Sequence, residues 1–177
     1  GTRQVRGMAE DTSLSSPSEA IPAATVVIFR NDPAGGPPQL LMVQRAKEMR
    51  FAGGAAVFPG GRVDPADRTL AARLAPDAHP AVAAARVAGI RETLEETGLA
   101  IALRQRVSPE DVAAARAMLI EQGELAPVLE RFRWDLDLDS LELFAHWCPN
   151  FHRAFDTRFF TVNLGTGDVA IAVDATE

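Results

Sequence analysis

Three carboxylates and an arginine fall in six consecutive positions of Arg91-Glu92-Thr93-Leu94-Glu95-Glu96-Thr97-Gly98-Leu99. On a helix Glu92 and Glu96 lie one turn apart on the same face, with Glu95 beside them. Acids held that close repel one another, and the crowding raises their pKa values. A divalent cation removes the conflict, because hard ions such as Mg²⁺ take oxygen ligands and bridge carboxylates to phosphates. The plain alternative is a solvated acidic helix face, which is what most charge runs are. Two neighbouring features favour the site. Gly98 stands where a helix would stop. Phe58-Pro59-Gly60-Gly61, upstream, is a turn in which bare backbone can approach a ligand closely.

With these residues the chain resembles the Nudix hydrolases. Their signature is Gly, five residues, Glu, seven residues, then Arg-Glu-U-x-Glu-Glu-x-Gly-U, with U a bulky aliphatic. Arg91, Glu92, Glu95, Glu96, Gly98 and Leu99 match the second half, and Thr93 departs from it mildly. The first half departs more. Gly61 and Arg91 are 30 positions apart, so sixteen residues are inserted. The early acid has no clear counterpart, and Asp64 and Asp67 are both open for it. Phe58 to Asp67 is similar to a subset resembling coenzyme A diphosphatases, which reads Phe-Pro-Gly-Gly-x-x-Asp-Pro-x-Asp.

The resemblance implies an α+β fold, a Nudix-like α/β/α sandwich with a mixed β-sheet. It implies Mg²⁺ or Mn²⁺ held by Glu92, Glu95 and Glu96, with the Gly60 carbonyl as a further ligand. Arg91 cannot bind a cation; its implied role is to pair with a box carboxylate and fix its rotamer. The general base is a box glutamate or a later one. Glu177 is the candidate for the latter, against the reading of a frayed acidic tail. Arg45 and Arg50 are candidates for binding substrate phosphates, since Arg matches phosphate in a bidentate way; ordinary surface arginines are the alternative. Gly61, Arg62 and Arg158 join them as substrate-side candidates, Arg158 within Arg153-Ala154-Phe155-Asp156-Thr157-Arg158.

The implied activity is hydrolysis of the phosphoanhydride of a nucleoside diphosphate linked to another moiety, with coenzyme A or acyl-coenzyme A favoured. ADP-ribose or a dinucleotide such as NADH is the alternative within the enzyme class. A non-catalytic ligand-binding or regulatory module is the alternative outside it, and the retention of all three box acids weighs against that.

The composition agrees with a soluble globular chain. Of 177 residues 47% are hydrophobic and 24% charged, ordinary proportions. The net charge of −6 argues against nucleic acid as a partner. No apolar run reaches the length of a membrane span. The expected partner is a small nucleotide-derived substrate, with homodimerisation left open. A single cysteine, Cys148, excludes an internal disulfide and suits a reducing cytoplasm; it reads as a buried structural thiol. Residues 1–20 read as a tag remnant, with Met8 as the native start, followed by a poorly ordered segment. Residues 21–177 read as one domain, with its C-terminal segment expected to be cut short.

The elements that must position the acids follow from pattern. Ala23–Arg30 and Gln39–Arg45 read as a hairpin of two strands. A short strand, 55–58, enters the Pro-Gly-Gly turn. The inserted residues 64–80 carry an Ala-rich stretch, 68–74, suited to a short helix, or to a surface excursion that costs little entropy. Ala81–Thr97 is the main helix, with Val87, Ile90 and Leu94 as the stripe facing a sheet. Leu99–Arg104 reads as a strand. Ser108 and Pro109 open a helix ending near Gly123, and 125–132 forms another. Strands follow at 141–147, 158–164 and 169–173. Phe155, Phe159 and Phe160 read as core, and His79 as exposed.

Overall fold

The structure, a computed structural model, describes residues 20–47, 53–150 and 154–166. Its centre is β1 (Ile21–Arg30), whose alternation buries Ala24, Val26 and Ile28 on one face. Five more strands and four helices matter to the site. They are β2 (Gln39–Leu40), β3 (Val43–Gln44), β4 (Ala56–Val57), β5 (Gly60–Arg62), β6 (Glu142–Trp147), and α1 (Pro65–Leu74), α2 (Pro80–Thr97), α3 (Pro109–Gln122) and α4 (Leu125–Phe132), while β7 (Phe155–Asn163) completes the sheet.

The sheet runs β2-β1-β7-β6, with β5 also on β1. It is mixed: β7 is parallel to β1, and β2, β5 and β6 are antiparallel to their neighbours. β1 therefore places Gly60 and Gly61, which stand in strand β5 rather than in the expected turn, at one end of the edge on which β2 also pairs. The buried face of β1 continues on β7 through Phe160 and Val162. Against that face lies α2, so close at Gly89 that a Cβ there would stand 2.8 Å from Val26 Cγ2. The helix is covered by α1 and α3 on its other sides, which explains why its buried set spans most of its circumference rather than the single stripe of Val87, Ile90 and Leu94.

Helix ends follow local chemistry. Ser108 accepts the Asp111 amide at 3.1 Å and caps α3. α2 stops at Gly98, which takes the left-handed conformation with φ 68°. The inserted helix is longer than its Ala-rich centre, because Pro65 at its first position and the capping by Asp64 and Asp67 start it earlier.

Four expectations are corrected. Gln39–Arg45 is not one strand. The chain pairs with β1 through Leu40 and the Leu41 amide, then leaves it, and Val43–Gln44 pairs with β4 instead. Leu99–Arg104 is not a strand. Ala102 has φ 58°, which breaks the extended path, and one isolated bridge joins Leu103 to Leu136. Leu99 and Ile101 still fill the core. Phe155 is 49% exposed, whereas Phe160 is buried. The parity of β7 puts Phe155 on the face opposite α2, the same face as Thr157, which pairs with exposed Trp147 of β6. Cys148, past the end of β6, is exposed rather than buried. His79 is exposed, as expected. The expected strand at 169–173 lies outside the described residues.

Candidate active site

The last two turns of α2 carry Glu92, Glu95 and Glu96 to the start of β5. Gly60 donates its amide to Glu96 Oε2 at 3.2 Å. A Cβ on Gly61 would stand 2.5 Å from the Glu92 carboxyl carbon, so only a glycine leaves that carboxylate its place. Gly60 is constrained from the other side, since a Cβ there would meet the β1 backbone, 2.9 Å from Thr25 Cα. The two glycines thus let β5 lie between β1 and α2 with no side chain in the gap.

Arg91 organises the acids from beneath. It is 4% exposed, and Asp67 of α1 receives it in bidentate fashion, Nε to Oδ1 at 3.0 Å and Nη2 to Oδ2 at 3.1 Å. The Arg62 carbonyl accepts from Nη2 at 3.0 Å, and Asp64 Oδ2 lies 3.3 Å from it. Nη1 faces Glu92 Oε1 at 2.9 Å and Glu95 Oε2 at 3.4 Å. Asp67 is 2% exposed and takes a further hydrogen bond from the Asp64 amide at 2.8 Å. The inserted helix is therefore anchored to the acidic cluster by a fully satisfied buried ion pair. Between the two acids open for this role, Asp67 is the buried partner, and Asp64 contributes a looser contact.

The electrostatics follow from this packing. Burial opposes the Arg91 charge, but the Asp67 hydrogen bonds and charge, with Glu92 and Glu95, outweigh it and raise its pKa. Burial pushes Glu92 up to about 7; Arg91 opposes the shift, and Glu95 and Asp64 add to it. Glu95 is raised as well, by burial first, against the pull of Arg91. Carboxylates strained in this way gain from a cation.

The donor set suits Mg²⁺ or Mn²⁺, being oxygen-only and strongly anionic. Glu92, Glu95 and Glu96 could hold such an ion, with the Glu92 carboxylate seated in the space that Gly61 leaves. Among the described residues no three acidic, histidine or cysteine side chains are already drawn into a ligating cluster; Arg91 and the Gly60 amide hold the carboxylates instead.

The remaining candidates lie at differing removes. Arg62 has an exposed side chain, and its carbonyl serves Arg91. Arg45 follows β3 directly and is half-buried, its amide on the Ala55 carbonyl at 2.9 Å. Arg158 of β7 shares a sheet row with Ala24 and Gly61, and pairs with Asp156 at 3.6 Å. Asp156 also contacts His146 of β6. Arg50, Arg153 and Glu177 lie outside the described residues. Asp67 is the functional side chain whose part was left undecided by spacing alone; the signal for it was Asp64-Pro65-Ala66-Asp67, a helix start with an acid at its third position.

The fold matches a solved structure. A NUDIX hydrolase from Alicyclobacillus acidocaldarius is 30% identical, over 84% of this chain and 71% of that one, with a TM-score of 0.67. The chain belongs to the Nudix hydrolase family. A MutT/nudix family protein from Enterococcus faecalis aligns over 93% of this chain and 43% of its own, at 11% identity and TM-score 0.49. The C. elegans Ap4A hydrolase aligns over 87% and 76%, at 16% identity and TM-score 0.42. No family model matches the chain. Nudix hydrolases generally use divalent metal ions, and the Nudix fold points to pyrophosphate hydrolysis on nucleoside diphosphate derivatives. The mixed sheet and α+β class agree with this membership. Among the described residues no helix is long and apolar enough to cross a membrane.

Proposed function

We propose that this Nudix hydrolase cleaves the phosphoanhydride of a nucleoside diphosphate linked to another moiety, with coenzyme A or acyl-coenzyme A as the favoured substrate. The observation that carries the reading is the meeting of Glu92, Glu95 and Glu96 with Gly60 and Gly61 of β5, over a buried Arg91–Asp67 pair. Coenzyme A is favoured by the Phe58 to Asp67 pattern alone.

In this reading Glu92, Glu95, Glu96 and the Gly60 carbonyl would hold Mg²⁺ or Mn²⁺. The bound ion would polarise the diphosphate and lower the pKa of water. Arg91 fixes the rotamers of Glu92 and Glu95 from below, and Asp67 fixes Arg91. Water adds to phosphorus, the bridging P–O bond breaks, and a box glutamate or Glu177 takes the proton. Coenzyme A would yield adenosine 3′,5′-bisphosphate and phosphopantetheine. Positioning and charge neutralisation supply most of the acceleration. Arg45, Arg50, Arg62 and Arg158, with the Gly61 backbone, form the substrate side, where a guanidinium can meet phosphate oxygens in pairs. A nucleotide-derived small molecule is then the partner, and a cytoplasmic setting suits the exposed free thiol of Cys148.

The test is hydrolysis of coenzyme A, acetyl-coenzyme A, ADP-ribose and NADH with Mg²⁺ or Mn²⁺, products separated by chromatography and EDTA as control. Chelator-sensitive cleavage of the coenzyme A pair is expected. Cleavage confined to ADP-ribose or NADH would overturn the substrate assignment, and saturable binding without turnover would indicate the non-catalytic module.

A further inference from the structure

The acids of α2 sit at the wrong end of their helix. Glu92, Glu95 and Glu96 fill its last two turns, where the helix dipole presents its negative pole, and the last turn carries no basic residue of its own. The Gly98 ending satisfies only part of the last turn. Gly98 returns its amide to the Leu94 carbonyl, while the Leu99 amide, which would continue the helix to Glu95, turns to Thr97 Oγ1 at 3.2 Å. The Glu95 carbonyl is thereby left to a partner from another element.

That partner is Arg116 of α3. Its Nε and Nη2 both donate to the Glu95 carbonyl, at 3.0 and 2.7 Å. Arg116 follows buried Ala115, and Leu119 is buried one turn on, so α3 is seated in the core at this level. The fork brings a positive charge to the terminus of α2 and fixes the residue whose side chain stands among the acids. Arg91 orders those acids through their carboxylates; Arg116 acts on the same residue through its main chain, from the opposite neighbour.

We infer that Arg116 is a positioning residue for the cation site, holding the terminal turn of α2 so that Glu95 and Glu96 present their carboxylates together. The inference rests on the proposed function above, since it presumes that these acids bind a divalent ion. It assigns α3 a part in the site.

The experiment is Mn²⁺ titration by calorimetry of the full chain and of two variants, R116Q and R116K, with folding checked by circular dichroism. R116Q removes charge and fork and is expected to weaken Mn²⁺ binding about tenfold. R116K restores charge without the fork and is expected to fall between, weakened about threefold. At saturating Mn²⁺ the KM for substrate should stay at the wild-type value in both. Wild-type Mn²⁺ affinity in folded R116Q would overturn the inference; should R116Q fail to fold, wild-type affinity in R116K would do so. A wild-type chain that binds no Mn²⁺ would instead remove the proposed function itself, and the inference with it.

Discussion

At the scale of single residues the site is a balance of charges. Arg91 is buried beneath three acids and survives there because Asp67 meets it with both oxygens. Removing one partner of a buried pair costs far more than the pair itself contributes. Asp67→Ala is therefore expected to cost about 3 kcal/mol in urea unfolding, and to weaken Mn²⁺ binding about tenfold as Arg91 draws Glu92 and Glu95 inward. Wild-type stability in that variant would contradict the pairing. Glu92 gives a pH dependence of unusual sign. Its folded pKa, raised from 4.5 to about 7, means that the folded state holds a proton the unfolded chain has released. Stability of the metal-free protein should fall as pH rises through that window. Binding of Mn²⁺ near pH 7 should release protons, measurable by calorimetry in buffers of different ionisation enthalpy. The box acids and Arg91 were legible from their spacing. Asp67 was not separable from Asp64 there, because only packing shows which of two nearby acids is buried.

At the scale of elements the inserted helix matters most. Read as sequence, residues 64–80 could be a tolerated excursion. In the fold α1 buries Asp67, Leu70 and Ala71 against its surroundings and reaches Arg91. Replacing residues 65–78 with a short Gly/Ser linker should lower unfolding free energy by at least about 3 kcal/mol and abolish Mn²⁺ binding. An inert excursion would leave both unchanged. Elements with strong local signals were legible. Ser108-Pro109 starts α3 and Gly98 ends α2, because caps act within a few residues. The stretches 39–45 and 99–104 were misjudged for the opposite reason. Their apolar content is real, and Leu99 and Ile101 are buried, but Leu40 and Met42 are exposed and strand pairing depends on partners far along the chain. Val43 finds β4, and Ala102 bends the path.

At the scale of the whole molecule, one sheet face carries α2 with the remaining helices behind it, and the acids emerge where α2 crosses the β5 end of the sheet. Phe144, Trp147 and Phe155 are exposed near the opposite edge. No apolar run in the sequence shows this patch, since β6 and β7 contribute to it from separate segments. The central claim is that the α2 acids hold the ion needed for phosphoanhydride hydrolysis. It is tested most directly by comparing Mn²⁺-dependent hydrolysis of coenzyme A by the wild-type chain and by Glu96→Gln, with folding of both verified. Turnover reduced at least about a hundredfold in the variant, with its melting temperature retained, is the predicted result. Turnover within twofold of wild type would contradict the account.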